Sequence, residues 1–136
     1  MLSIGACERT ATGPSSVPNS ADISAALGTV GTWKLQSLTR PDSTTVTISK
    51  PDLFTFELLD TSGRIAIRAD CNRANGGFTL KGNALSVGLL ATTRAYCSSA
   101  PLDDEYLRIL GGDSVVTVTA NSLQLSSARG TLRFVQ

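Results

Sequence analysis

The chain has 136 residues, a formal net charge of +1 and no histidine. Its length fits one domain with a core of modest size. Without histidine the chain lacks the commonest general base and metal ligand, which excludes histidine-dependent serine and cysteine hydrolases and zinc sites built on histidine. Its basic residues are scattered singly along the sequence, which argues against a nucleic-acid-binding stripe and an electrostatic membrane patch.

Residues 1–29 are predicted to be a leader remnant and a flexible tether. Ile4-Gly5-Ala6-Cys7 resembles the lipobox of bacterial lipoproteins, in which small residues precede a cysteine that becomes lipidated, so Cys7 is the expected lipid anchor. The charged region and most of the apolar region of a signal peptide are missing before it, and we expect the true start to lie upstream. The alternative is a chance cysteine in a disordered tail. Residues 8–20 are rich in Thr, Ser, Pro, Ala and Gly, as is typical of a tether.

Residues 30–136 are predicted to form one mainly β domain. Trp33, Leu35 and Ser37 share one face of the first strand, and the alternating residues 53–59 and 64–71 predict a hairpin. Further strands are predicted over residues 45–48, 77–81, 84–90, 115–119, 123–126 and 131–135. This spacing predicts an antiparallel curled sheet or partly open barrel of about eight short strands with one covering helix, an α+β fold.

The helix is predicted over residues 101–110. Pro101 suits its first position, and Gly111 and Gly112 end it. Negative charge in the first turn, where the helix dipole favours it, comes from Asp103, Asp104 and Glu105. The apolar stripe consists of Leu102, Tyr106, Ile109 and Leu110. Ser98 and Ser99 are interpreted as N-terminal capping residues.

Cysteine, asparagine, arginine and glycine are concentrated in residues 70–78. Cys71 and Cys97 could form a disulfide, bind a metal or act as a redox pair. A metal site needs further soft or imidazole ligands that the domain lacks, and redox cysteines are normally two residues apart. If the chain is exported, a structural disulfide is the natural outcome. Residues 75–77 are interpreted as a turn that lets the chain reverse.

The charged and polar residues nearest this cysteine pair are Asp70, Asn72, Arg73 and Arg94. One interpretation is a small polar binding site in which Arg73 and Arg94 contact a partner. The other is structural, because Asp70 would pair with a nearby arginine, and Asn72 and Arg73 would order the bend; such loop ion pairs are common and mostly weak.

Several segments taken in order resemble one known family. They are Gly31-Thr32-Trp33-Lys34-Leu35, Ala69-Asp70-Cys71-Asn72-Arg73-Ala74-Asn75-Gly76-Gly77-Phe78, Thr92-Thr93-Arg94-Ala95-Tyr96-Cys97 and Leu102-Asp103-Asp104-Glu105-Tyr106-Leu107. Together they resemble the META domain (HslJ-like) family over about residues 30–136. Asp70 stands where many members have glycine, and Ala74 where many have an aromatic residue. The resemblance implies a small antiparallel β domain with a helix, frequent in bacterial secreted proteins and lipoproteins, linked in some members to stress tolerance and antibiotic resistance, and without catalytic residues.

These observations lead us to expect a non-enzymatic protein of the bacterial cell envelope, either a membrane-anchored lipoprotein or secreted. We expect a binding or stress-tolerance role, a monomer, an envelope protein or small ligand as partner, contact with the membrane through the lipid anchor only, and neither cofactor, metal nor nucleic acid. The alternative is an inhibitor of an extracytoplasmic hydrolase, a protease or a lysozyme, that inserts Arg73 or Arg94 into the enzyme cleft. A small apolar ligand in the barrel mouth rests on analogy between folds alone.

Overall fold

The computed structural model describes residues 31–59, 63–119 and 121–136. These residues form ten β-strands, one α-helix and one 3-10 turn at Pro51–Leu53. The strands are β1 (Trp33–Thr39), β2 (Thr45–Thr47), β3 (Phe54–Leu59), β4 (Arg64–Ala69), β5 (Asn72–Lys81), β6 (Ala84–Val87), β7 (Ala91–Thr92), β8 (Gly112–Val118), β9 (Ser122–Ser127) and β10 (Gly130–Val135), and the helix is α1 (Leu102–Leu110). Within the described ranges, no helix has the length and apolar character needed to span a membrane. The predicted leader, tether and Cys7 lie outside the described residues.

Eight of the strands form a closed antiparallel barrel. Their order is β10-β9-β8-β6-β5-β4-β3-β1, and β1 pairs with β10 to close the ring. β2 adds to β1, and β7 adds to β5. The predicted mainly β fold with one covering helix is confirmed, and the barrel is closed rather than partly open.

A β-bulge in β1 changes which residues face the interior. Leu35 pairs with Phe134 of β10, and the neighbouring residue of β10, Arg133, pairs with Ser37. Gln36 is therefore the extra residue of the bulge. The interior face therefore continues at Leu38, which is fully buried, and the prediction that Ser37 shares the face of Trp33 and Leu35 is wrong. Two-residue alternation cannot anticipate this shift.

Helix α1 packs its apolar face onto the barrel core. Tyr106, Ile109 and Leu110 are buried, and the Tyr106 ring lies edge-on to Phe54 with centroids 5.8 Å apart. The Tyr106 hydroxyl donates a hydrogen bond to the Thr55 carbonyl at 3.0 Å, and burial raises the pKa of this phenol well above its ordinary value. The predicted apolar stripe thus joins the helix to one continuous core.

Charged side chains fasten both ends of α1 to loops of the barrel. Arg40 donates two hydrogen bonds to the Glu105 carboxylate, at 2.6 and 3.0 Å. At the other end Arg129 donates to the carbonyl of Arg108 at 3.2 Å and to that of Asp113 at 2.9 Å. The helix begins after Pro101 without a side-chain cap, so the predicted capping by Ser98 and Ser99 is wrong.

Residues 75–77 lie in a strand rather than in a turn. Chain reversal uses only Asp70 and Cys71, and β5 begins at Asn72 and runs through residues 75–77. Asp70 has φ +58°, a left-handed conformation that glycine adopts freely and that Asp tolerates better than most residues. A Cβ atom at Gly76 would lie 2.7 Å from the Leu89 carbonyl oxygen, so this glycine permits close approach of two backbones. The prediction of a turn at residues 75–77 is therefore wrong.

Candidate functional site

Asn72, the first residue of β5, is the centre of a buried hydrogen-bond network. Its side chain faces inward and is 4% exposed. The Oδ1 atom accepts hydrogen bonds from the Ala95 backbone N–H at 2.8 Å and from the Thr93 hydroxyl at 3.0 Å. The Nδ2 atom donates to the Ala95 carbonyl at 2.9 Å and to Asp103 Oδ2 at 3.2 Å. One amide side chain therefore fixes a loop and the first turn of α1 together.

The disulfide between Cys71 and Cys97 closes the other side of this network. The two Cα atoms are 5.5 Å apart, and the cysteines are 26 positions apart in sequence. The Cys71 N–H also points to Cys97 Sγ at 3.2 Å, and Cys97 is buried. The predicted disulfide is confirmed, and it leaves neither thiol available as a metal ligand. Within the described ranges, no three acidic or cysteine side chains form a metal-binding group.

Asp70 secures the chain just after the 93–97 segment. Its side chain is 7% exposed, and Oδ2 accepts a hydrogen bond from the Ser99 backbone N–H at 3.0 Å. Hydrogen bonding by Ser99 lowers the pKa of this carboxyl against the opposing effect of burial. Asp70 therefore bonds Ser99 in place of the predicted arginine partner.

Residues 93–97 form an irregular segment that is held rigidly and yet exposed. Its backbone is bonded to Asn72 at Ala95 and is covalently fixed at Cys97, as described above. Tyr96 lies between the two attachments and is 91% exposed. Arg94 precedes the attachment at Ala95 and is also exposed. An aromatic ring held in water by a fixed backbone is an anchor of the kind that protein interfaces use.

A cleft of about 240 Å³ separates the 93–97 segment from the first turn of α1. Its lining includes Asn72, Arg94, Tyr96, Asp103 and Asp104. Asp103 is 4% exposed, and its Oδ1 atom has no hydrogen-bond partner among the described residues. The cleft thus places both signs of charge beside an exposed aromatic ring.

The four residues predicted as binding candidates do not share one cleft: Asn72 and Arg94 line the cleft beside α1, and Asp70 and Arg73 lie outside it. Asn72 and Asp70 are buried, and Arg94 lies on the rim of the cleft. Arg73 points outward from the barrel wall into a different cleft of about 170 Å³, which it shares with Thr55 and Arg68. Successive side chains of β5 point to opposite sides of the barrel wall, so Arg73 lies on the outside and Asn72 on the inside.

Sequence reasoning missed Tyr96 and Asp103. The signal for Tyr96 was a large aromatic residue beside a cysteine in a segment without alternation. Asp103 lay inside an acidic run that helix-dipole reasoning fully explained, and its burial depends on contact with Asn72 from a distant strand.

The fold and the site define a class: small, closed antiparallel β-barrels with one covering helix and a disulfide beside it. The chain belongs to the META domain family, which matches residues 25–136. A protein from Burkholderia xenovorans, solved by NMR, is 25% identical with a TM-score of 0.66 over 94% of both chains. A second protein solved by NMR is 24% identical, TM-score 0.57, over 77% of this chain and 87% of the other.

A lipocalin-like protein from Bacteroides uniformis ATCC 8492 shares the fold, with 18% identity and a TM-score of 0.58 over 82% of this chain and 98% of that chain. No curated protein matches the chain. In this chain the barrel interior contains large packed side chains, among them Trp33, Phe56 and Phe134, so its interior serves as a core.

Proposed function

We propose that the chain is a non-enzymatic binding protein of the bacterial cell envelope, anchored through Cys7 and acting in stress tolerance. The observation that carries the binding role is the exposed Tyr96, at 91%, on a segment whose backbone is fixed on either side. A preorganised loop loses little conformational entropy when it binds, so its contacts contribute more of their energy to affinity. Family membership and the lipocalin-like neighbour support a binding role as well.

The extracytoplasmic location is supported by the disulfide. Disulfides persist in oxidising compartments and are rare in the reducing cytosol of most organisms. The Cys71–Cys97 bond joins a barrel turn to the segment that presents Tyr96, so the proposed surface requires oxidation to be rigid. The Cys7 anchor and the tether complete this proposal from sequence.

The binding surface can be tested by capture from envelope extract. The bait is the full chain, and the test variant is Tyr96→Ser with Arg94→Gln. The matched control is Leu89→Ser with Lys81→Gln, because Leu89 is 99% exposed and Lys81 is exposed away from the cleft. We expect a partner retained by wild type and control to be lost from the test variant. Equal capture by all three proteins would contradict a surface at Arg94 and Tyr96.

The anchor is tested separately by metabolic labelling. Cells expressing the full precursor are grown with radioactive palmitate, and Cys7→Ser is compared with wild type. We expect label in the wild-type protein and none in the variant. Undiminished label in Cys7→Ser would exclude Cys7 as the anchor without bearing on the binding surface.

Inhibition of an extracytoplasmic hydrolase is the second candidate, and the same fixed segment favours it. Inhibitors of this kind present a rigid loop to an enzyme cleft, and Arg94 and Tyr96 both project from one. A panel of proteases and lysozymes assayed with micromolar protein tests this. Inhibition that Arg94→Gln abolishes would favour the inhibitor, and no inhibition across the panel would remove it.

A further inference from the structure

The outer wall formed by β3, β4 and β5 gathers cations that are scattered in the sequence. Strand register places Thr55, Arg68 and Arg73 side by side in one row. Glu57 and Asn75 lie in the next outward row two residues away, and Leu59 and Arg64 in the row four residues away. Arg64 donates a hydrogen bond across the strands to Asn75 Oδ1 at 3.0 Å, so these two outward side chains are in contact. We call this wall the arginine face, defined by Thr55, Glu57, Arg64, Arg68, Arg73 and Asn75.

Arg68 and Arg73 are directly opposite each other on neighbouring antiparallel strands. Like charges in directly opposed positions repel and destabilise a sheet. Glu57 is the one acid on the arginine face, and it forms no ion pair with either arginine. Among the described residues, the Arg73 side chain has no hydrogen bond or ion pair, and Arg68 bonds only the Asp70 carbonyl, at 3.1 Å. The face therefore carries three positive charges against one negative, and no ion pair among the described residues offsets the repulsion between Arg68 and Arg73.

The opposite wall of the barrel differs sharply in charge. Its corresponding outward rows on β8, β9 and β10 are Val115, Ser126 and Thr131, and then Thr117, Gln124 and Arg133. These rows contain one cation, Arg133, whereas the arginine face contains three. The positive charge of the arginine face is thus a property of one side of the barrel and does not follow from the net charge of +1.

We propose that the arginine face binds the phosphate groups of an anionic lipid bilayer. Arginine guanidinium groups bind phosphate oxygens through paired hydrogen bonds, and an anion between Arg68 and Arg73 relieves their mutual repulsion. The face is an open barrel wall with a shallow cleft of about 170 Å³, which suits a surface of many phosphates better than one enclosed ligand. Leu59, 39% exposed and opposite Arg64 in register, adds an apolar group at the end of the same wall.

This inference rests on the envelope location of the proposed function, because a domain anchored in the envelope lies beside such a bilayer. Each arginine close to an anionic membrane strengthens binding about fivefold, so three of them give a weak, salt-sensitive affinity. A tether would raise the effective concentration of the face at the membrane and make that weak affinity sufficient. The face would then set the orientation of the barrel on the bilayer.

The test measures vesicle binding by sedimentation of the full chain carrying Cys7→Ser, so that no anchor contributes. Vesicles contain phosphatidylglycerol and phosphatidylcholine, or phosphatidylcholine alone, at about 0.1 M salt, where the Debye length is about 10 Å. The face variants are Arg73→Gln and the double variant Arg68→Gln, Arg73→Gln. The matched control is Arg108→Gln with Arg133→Gln, which removes the same charge from exposed sites on α1 and β10.

We expect binding to the anionic vesicles alone, reduced about fivefold by Arg73→Gln, about 25-fold by the double variant, and little by the control. Arg73→Gln is the cleanest variant, since Arg68 also supports the backbone at Asp70. Equal losses in face variant and control would show a net-charge effect and overturn the proposal, as would equal binding to both vesicle types. Saturable binding of inorganic phosphate without vesicle binding would assign the face to a soluble phosphate and overturn the bilayer. Because Cys7 is replaced throughout, failure here leaves the anchor and the Tyr96 surface untouched.

Discussion

Asn72 of β5 and Asp103 of α1 meet through a buried hydrogen bond, 3.2 Å from Asn72 Nδ2 to Asp103 Oδ2. Both side chains are 4% exposed. A buried carboxylate is costly unless it is hydrogen-bonded, and this one has its second oxygen unpartnered among the described residues. The Asn72 amide group therefore joins the first turn of α1 to the 93–97 segment, in addition to the contacts of Arg40 and Tyr106 that hold the helix on the barrel.

Asn72→Ala is expected to destabilise the protein by about 3 kcal/mol, because it leaves the backbone of Ala95 and the buried Asp103 carboxylate without their hydrogen bonds. Urea unfolding measures this loss. Asn75→Ala is the matched control on the same strand, with one exposed hydrogen bond to Arg64, and we expect a change within about 0.5 kcal/mol. Equal effects of the two substitutions would contradict a central role for Asn72.

Removal of the disulfide by Cys71→Ser with Cys97→Ala is expected to cost about 3.5 kcal/mol, from the entropy of the loop that the 26-position separation closes. The free energy of unfolding in urea and amide exchange in the 93–97 segment would measure the effect. Cys7→Ser serves as the control for loss of a thiol elsewhere. A doubly substituted protein as stable as wild type would show that the network around Asn72 suffices without the bond.

The Asp70 carboxyl is expected to make stability depend on pH. Its pKa is lower in the folded protein than the ordinary value of about 3.9, so the unfolded chain binds the proton first as the pH falls. The stabilisation is present above about pH 4 and is lost as the pH falls through the lower pKa of the folded state. Urea unfolding of wild type and Asp70→Asn across this range should show a difference that shrinks in acid. A difference independent of pH would contradict a role for the charged carboxylate.

Gly130→Ala is expected to destabilise the barrel by at least about 3 kcal/mol. Gly130 has φ +142°, and an added Cβ atom would lie 2.6 Å from the Thr39 carbonyl oxygen, so conformational strain and a backbone clash combine. Gly82→Ala is the control, with φ +61° and open space around the added atom, and about 1 kcal/mol is expected. Thermal or urea unfolding distinguishes them, and similar losses would indicate that Thr39 moves aside.

Local sequence patterns predicted much of the fold. Residues 53–59 and 64–69 alternate regularly, and β3 and β4 form the predicted hairpin because alternation along both strands serves one buried face. α1 lies within one residue of its prediction, since proline, acidic residues, an apolar stripe and glycine all agree. The family resemblance, stated over about residues 30–136, is confirmed by the match to residues 25–136.

The composition of residues 72–77 did not predict that β5 begins at Asn72. Asn72, Asn75, Gly76 and Gly77 are residues typical of turns, yet they form a strand here because Asn72 bonds distant loop atoms and Gly76 lies against Leu89. Neither contact is local, so no window of sequence contains it. The same holds for the arginine face, whose members meet only through strand register.

The barrel is closed by pairing of its first strand, β1, with its last strand, β10. Lys34 pairs with Val135, so the ring cannot close until nearly the whole domain is available, and contacts this distant in sequence slow folding. Before closure, β1 and β10 each present an unpaired backbone edge that can add a strand from another molecule. A chain shortened by β10 would leave the edges of β1 and β9 permanently unpaired and would be expected to aggregate, although every residue of the Asn72 network would still be present.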